Sequence, residues 1–235
     1  MSLSTLVSVY PLIKLPFILG GGFAAYVAAN PPNATPSKKE MSKYKSETLS
    51  QWFQSRAAVL CAMSPYFLTT LAESALTVAH TFPWHPLSHT ILTTLTTPAS
   101  PRLPPPYLAG LALLTLGALL RKSSFRHLGP LYTYQLSIRD THTLVTFGPY
   151  AYVRHPGYLG AMLTFVGAGI CMLGPGALLH DSGVLGAAVV LWLVVMAGAL
   201  LARVPVEDAA LRREFGEEWE RWRRRVTWAV LPGVY

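Results

Sequence analysis

Long apolar stretches separated by shorter polar ones dominate this chain. Five runs are long enough, or nearly so, to cross a hydrocarbon core, which takes about 20 residues of helix. They cover about residues 3–29, 54–82, 107–121, 157–174 and 183–204. The first is interrupted by Pro11, Lys14 and Pro16, and the second holds Pro65 and Glu73. The third is short but opens after "PRLPPP", a helix-start signal. The fifth, "GVLGAAVVLWLVVMAGALLARV", is the cleanest. The linker "GPGALLHDS" is short enough to fold the last two runs into an antiparallel hairpin.

Two segments are too polar to span and too long to be turns, about 122–156 and 205–235. In the second, Leu211, Phe215, Trp219 and Trp222 recur at helical spacing while Arg and Glu fill the other faces. That pattern predicts an amphipathic surface helix, whose simplest role is a membrane anchor. The expected fold is therefore an all-α integral membrane protein with about five transmembrane helices and a C-terminal amphipathic helix; the cytoplasmic cofactor pocket is added to it only by the resemblance described below. Residues 1–121 form an N-terminal part with about three spans, and residues 122–235 a core built on the hairpin.

Composition agrees. The chain has 235 residues, of which 51% are hydrophobic and only 13% charged, about half the charged share of a soluble domain. Its net charge of +8 does not point to nucleic acid, because no cluster alternates basic residues with exposed aromatics. The charges instead alternate with the spans. Lys38, Lys39, Lys43 and Lys45 follow the first run, and only Arg102 follows the second. Arg121, Lys122, Arg126, Arg139 and Arg154 follow the third, none follows the fourth, and the tail from Arg203 to Arg225 is rich in arginine. This parity puts the N-terminus outside and the C-terminus in the cytoplasm. The two cysteines, Cys61 and Cys171, fall in apolar runs and build neither a disulfide framework nor a thiolate metal site. The N-terminus has no basic start or small-residue cleavage site, so the first run is expected to stay as a helix.

The common chemical signatures are missing: there is no GxGxxG after a strand, no Walker loop, no HExxH and no nucleophile elbow. Gly20, Gly21 and Gly22 sit inside an apolar run and suit close helix packing. His80, His85 and His89 have broken register and no carboxylate nearby, so no metal is expected there. Glu73, deep in the second run, has no partner visible in the sequence. The remaining candidates flank the hairpin. Because the hairpin returns to its starting face, His155 and Tyr158 come close to Arg203 and Glu207, the latter two lying four apart on one helix face. Arg154 reads as a snorkelling anchor. A helix start at Pro156–Gly157 offers free N–H groups to the same corner. Such a corner suits a zwitterion, with Glu207 meeting an ammonium or sulfonium and Arg203 a carboxylate.

"THTLVTFGPYAYVRHPGYLG" (141–160) followed by "RVPVEDAALRREFGEEWERW" (203–222) resembles the isoprenylcysteine carboxyl methyltransferases. The resemblance covers about residues 130–235. It departs at Asp208, where that family usually has a second Glu, and at Trp219 and Trp222, which replace tyrosines. It implies a polytopic enzyme using S-adenosyl-L-methionine on prenylated protein C-termini or a prenylcysteine-like lipid, within the endoplasmic reticulum membrane and among its lipids. It further implies cofactor contacts at Gln135, His142, Thr143, Leu144, Val145, Tyr150, His155, Pro156, Gly157, Tyr158 and Glu207. Arg203 would face the substrate carboxylate, with Arg203 and Glu207 as the catalytic pair. Two alternatives stay open: methylation of another lipid such as a phospholipid amine, and a membrane reductase of related signature. A catalytically silent scaffold of the same fold is a third.

Overall fold

The computed structural model describes residues 11–30, 56–95, 103–132 and 143–235, and all regular elements among them are helical. A short 3-10 turn, Pro11–Lys14, leads into α1 (Leu15–Ala29). It is followed by α2 (Arg56–Thr81), α3 (Pro86–Thr94), α4 (Pro105–Leu128), α5 (Pro156–Leu173), α6 (Gly183–Phe215) and α7 (Glu217–Arg225). The stretches Pro11–Ala29, Ala57–Thr81, Pro105–Leu131, Pro156–Leu173 and Gly183–Phe215 are long and apolar enough to cross a membrane, as the run lengths predict.

Three boundaries differ from the sequence reading. The third run does not stop at Arg121; α4 continues to Leu128, because its polar last turns still satisfy their own backbone. The fifth does not stop at Val204 either. It runs through Pro205 to Phe215 as one helix, since a spanning helix can absorb the hydrogen bond that proline removes. At 1.5 Å per residue α6 is about 50 Å long, well beyond a hydrocarbon core of about 30 Å, so its polar last third extends past the apolar layer. The break comes at Gly216, whose φ of 50° is open to glycine at little cost. The third difference is α3, unforeseen in the loop after α2. Pro86 opens it and His85 caps it, accepting the Leu87 N–H at Nδ1.

The chain divides into two compact units. The first comprises Met1–Tyr26, Met63–Leu116 and Leu163–Val194; the second comprises Val27–Ala62, Gly117–Met162 and Val195–Tyr235. In the first, Lys14 and Glu73 are buried and form an ion pair at 3.6 Å. The other Glu73 oxygen accepts the Leu178 N–H at 3.1 Å, and Lys14 also lies over the Tyr107 ring. Glu73 therefore has the partner that the sequence did not reveal. Gly21 abuts the Tyr66 hydroxyl, a close packing contact of the kind foreseen for the glycine run.

In the second unit α4 and α5 meet backbone to backbone at Gly160, where a Cβ would stand 2.7 Å from the Gly117 carbonyl and 2.8 Å from Arg121 Cγ. The hairpin is antiparallel: Gly169 lies against Leu193 in the first unit, and Tyr158 against Glu207 in the second. Of the candidate spans, α5 is 56% buried and α6 only 11%. α5 is thus largely enclosed, while α6 presents most of its apolar side chains outward, where lipid would cover them.

Candidate functional site

The second unit gathers the charged residues flanking the hairpin. Pro156 begins α5 and throws the preceding His155 and Arg154 toward α6, where Glu207 and Asp208 are neighbours about 100° apart on the helix. Asp208 holds both members of the first pair. Its Oδ1 meets His155 Nε2 at 2.9 Å, and its Oδ2 meets Arg154 Nη2 at 3.1 Å and Nε at 3.3 Å. Glu207 accepts the Tyr158 hydroxyl and stands 3.7 Å from His155 Nδ1 and 3.7 Å from Arg203 Nε. The Tyr158 ring stacks on His155, and the Arg203 guanidinium lies over the Tyr158 ring, 5.8 Å from its centroid.

Burial alone would favour the neutral imidazole of His155. The hydrogen bonds and charges of Asp208 and Glu207 outweigh it and lift the ring to about 9, so it is a cation at neutral pH. The cluster then holds three cations, Arg154, His155 and Arg203, against two carboxylates, Glu207 and Asp208. Within it the buried Nε of Arg203 has no hydrogen-bond acceptor; Glu207 is its nearest carboxylate, beyond hydrogen-bond reach. A buried donor of this kind is costly unless something accepts from it.

Arg154 departs from expectation. It is buried and does not reach outward; Nη1 donates to the carbonyls of Val226 at 3.1 Å and Thr227 at 2.6 Å. Beside it the backbone N–H groups of Arg154 and His155 donate to Trp228 and Ala229 carbonyls at 2.9 and 2.8 Å. The segment after α7 thus straps the histidine in place. The start of α5 is also less open than expected. The Tyr158 and Leu159 N–H groups are taken by the His155 carbonyl and Pro156 has none, which leaves Gly157 as the free donor of that first turn.

The remaining sequence candidates separate. Val145 and Tyr150 are buried with Trp219, Trp222 and Val226, and Leu144 packs on that cluster from partly buried ground. Thr143 is exposed. Gln135 and His142 lie outside the described residues. Trp219 and Trp222 correct the anchor reading: the apolar face of α7 turns inward, and Trp222 donates to the Tyr150 carbonyl at 3.2 Å. An amphipathic pattern specifies a covered face but not what covers it.

Three polar residues near this corner carry no distinctive motif in the sequence. Arg121 is buried, donates to the carbonyls of Ala28 at 2.6 Å and Gly157 at 3.0 Å, and hydrogen-bonds Tyr132. Ser124 hydrogen-bonds Tyr150. Burial lifts the phenols of both Tyr132 and Tyr150, keeping them as neutral donors, and both feel the charge of Glu207. The available signal was the three-residue spacing of Arg121 and Ser124, which puts both on one face of a helix that continues past the apolar run.

The architecture and this cluster define an all-α polytopic membrane protein with a charged corner at one end of a helical hairpin. Residues 110–213 match the model of the Isoprenylcysteine carboxyl methyltransferase (ICMT) family, a match that covers less than half of the chain. It is 30% identical over 119 residues to a probable protein-S-isoprenylcysteine O-methyltransferase of Oryza sativa subsp. indica, covering 50% of this chain and 56% of that protein. Protein-S-isoprenylcysteine O-methyltransferase B of Arabidopsis thaliana is 31% identical over 119 residues, 50% of this chain and 55% of the relative. The Homo sapiens protein-S-isoprenylcysteine O-methyltransferase is 32% identical over 119 residues, 50% of this chain and 38% of its own. The chain spans about half the length of the plant relatives it matches, and less of the human one.

Proposed function

We propose that this chain methylates the C-terminal carboxylate of a prenylated cysteine at the membrane, using S-adenosyl-L-methionine, with residues 122–235 as its core. In this reading the protein resides in the endoplasmic reticulum membrane with its C-terminus and site facing the cytoplasm. The observation that carries it is Arg203, a guanidinium in the corner whose Nε lacks an acceptor, in a cluster with one more cation than carboxylate. Such a corner favours an anionic acceptor. A phospholipid amine would have to enter as a cation or lose a proton first, and the surplus positive charge opposes the former.

The residues fit the cofactor. Glu207 is a carboxylate that accepts the Tyr158 hydroxyl and also suits a cationic sulfonium or ammonium, and the Gly157 N–H is a donor for a carboxylate. Gln135, His142 to Val145, Tyr150 and His155 to Tyr158 complete the proposed cofactor contacts. When bound, S-adenosyl-L-methionine supplies an electrophilic methyl group on sulfur. The acceptor carboxylate is already ionised at neutral pH, so no side chain has to remove a proton. The task of the protein is alignment and exclusion of water. Arg203 orients the acceptor through its planar fork, while Asp208 and Arg154 hold His155, and with it the first turn of α5, in register with Glu207.

The test is methyl incorporation from labelled cofactor into a farnesylated cysteine analogue and into phosphatidylethanolamine, alongside titration with S-adenosylhomocysteine and with NADPH. Transfer to the carboxylate is expected. Transfer to the amine alone, or binding of NADPH without S-adenosylhomocysteine, overturns the reading.

A further inference from the structure

One surface of the second unit plays no part in this chemistry. α7 segregates its charge: Glu217, Glu218 and Glu220 occupy the first turn, and Arg223, Arg224 and Arg225 the last. These three arginines are exposed, and none of them forms an ion pair with a carboxylate among the described residues. The chain then passes through Trp228, 41% exposed, whose carbonyl is bonded by Arg154; two residues before Arg154 is Tyr152, 79% exposed. Arginines and outward aromatics thus share one rim.

The depth of this rim follows from what comes next. Ala229 and Val230 pack with Val204, Leu201, Leu159 and Met162, residues of the apolar lengths of α5 and α6. The strand of chain just before them therefore lies where the apolar layer gives way to headgroups. At that level exposed Trp and Tyr are favoured, and clustered arginines meet lipid phosphate.

We propose that Arg223, Arg224 and Arg225, with Trp228 and Tyr152, form a binding surface for the phosphate of anionic lipid headgroups. This goes beyond the methyltransferase reading and does not depend on it. It also gives the lipid a route to the site. Residues 226–229 supply four carbonyls to Arg154 and to the backbone of residues 154 and 155, so a headgroup that pins the rim also pins the strap over His155. An acidic protein segment is the competing occupant; the packing of Val230 at the level of the spans favours lipid.

The experiment uses the full chain in nanodiscs of phosphatidylcholine, with and without phosphatidylserine. It is done for the wild type, for Arg223→Gln/Arg224→Gln/Arg225→Gln, and for Trp228→Ala. The readouts are retention of each lipid on the protein in detergent by native mass spectrometry, and amide exchange of residues 226–230. Wild type is expected to retain phosphatidylserine preferentially and to exchange several-fold more slowly in its presence. The triple variant should lose that preference, by roughly fivefold per arginine and on the order of a hundredfold in all. Trp228→Ala should lower it less, since the charges remain. Because these readouts need no turnover, they stand whether or not the carboxylate reading does. Equal retention of the two lipids, a preference that survives in the triple variant, or exchange indifferent to phosphatidylserine overturns the proposal. So does protection produced by an acidic peptide but not by the anionic lipid.

Discussion

The two units each bury charge, and they do so differently. In the first, Lys14 faces Glu73 one to one, and the second carboxylate oxygen takes the Leu178 N–H. In the second, Arg154, His155 and Arg203 face Glu207 and Asp208, and a buried guanidinium N–H is left over. Both clusters carry the desolvation cost of buried ions, but only the balanced one recovers it from within the protein. The first behaves as a fastener: through Leu178 it ties the turn between α5 and α6 to α2. The second leaves a surplus cation and an N–H without an acceptor, the imbalance on which the proposed function rests.

That contrast breaks most sharply by removing one acid from each. Glu73→Ala strands Lys14 in the interior and is expected to cost ~3–5 kcal/mol of stability, whereas the double change Lys14→Met/Glu73→Leu restores most of it. S-adenosylhomocysteine affinity of the folded fraction should stay within about twofold in both, since this pair lies outside the proposed site. Thermal unfolding and calorimetric titration in detergent read the two effects. If Glu73→Ala abolished cofactor affinity while leaving stability intact, the fastener account would be wrong. Glu207→Ala should do the reverse, weakening S-adenosylhomocysteine by roughly 100-fold, the scale of a lost charge-assisted contact. Its effect on the melting temperature should be the smaller one, because Glu207 is partly exposed and Asp208 still holds His155.

How far the sequence could foresee this difference depends on what leaves a local trace. Spans and hairpin are written in run length, and once the hairpin is accepted, the meeting of His155 and Tyr158 with Arg203 and Glu207 follows from chain parity. The strap is not written anywhere. Arg154 is satisfied by carbonyls 72 and 73 positions further on, and backbone carbonyls carry no sequence signal at all. Lys14 and Glu73 are also remote from each other, each looking like an interruption of its own run. The apolar run marks where hydrophobicity ends near Val204, and the helix itself continues through Pro205 to Phe215. The indole rings of Trp219 and Trp222 showed that a face was covered, and only the fold shows that protein and not lipid covers it.

The charge balance of the second cluster can also be shifted by pH. His155 is held up to about 9 from an ordinary 6.5, a difference that corresponds to on the order of 3 kcal/mol. Its folded value lies above its unfolded one, so this contribution is fully present below about pH 6.5 and is lost as pH rises through about 9. Stability in detergent should therefore decline on the alkaline side, and His155→Gln should flatten that decline while being less stable at neutral pH. An unchanged slope in His155→Gln would mean the imidazole is not charged in the folded protein.

The smallest effect is the one that best separates site from scaffold. Arg203→Lys keeps the charge of the cluster and the option of pairing with Glu207, so stability should move by less than about 1 kcal/mol. What it removes is the planar fork and the stacking over Tyr158. If the spare Nε is there for an acceptor carboxylate, the lysine variant should bind S-adenosylhomocysteine normally and require on the order of tenfold more farnesylcysteine analogue for half-maximal rate, the cost of a two-point contact reduced to one. A pure scaffold role would leave the acceptor requirement untouched, because a lysine balances Glu207 as well as an arginine does. Steady-state rates at saturating cofactor and varied acceptor decide between them, and a shift in the cofactor requirement in place of the acceptor one would move Arg203 to the donor side of the corner.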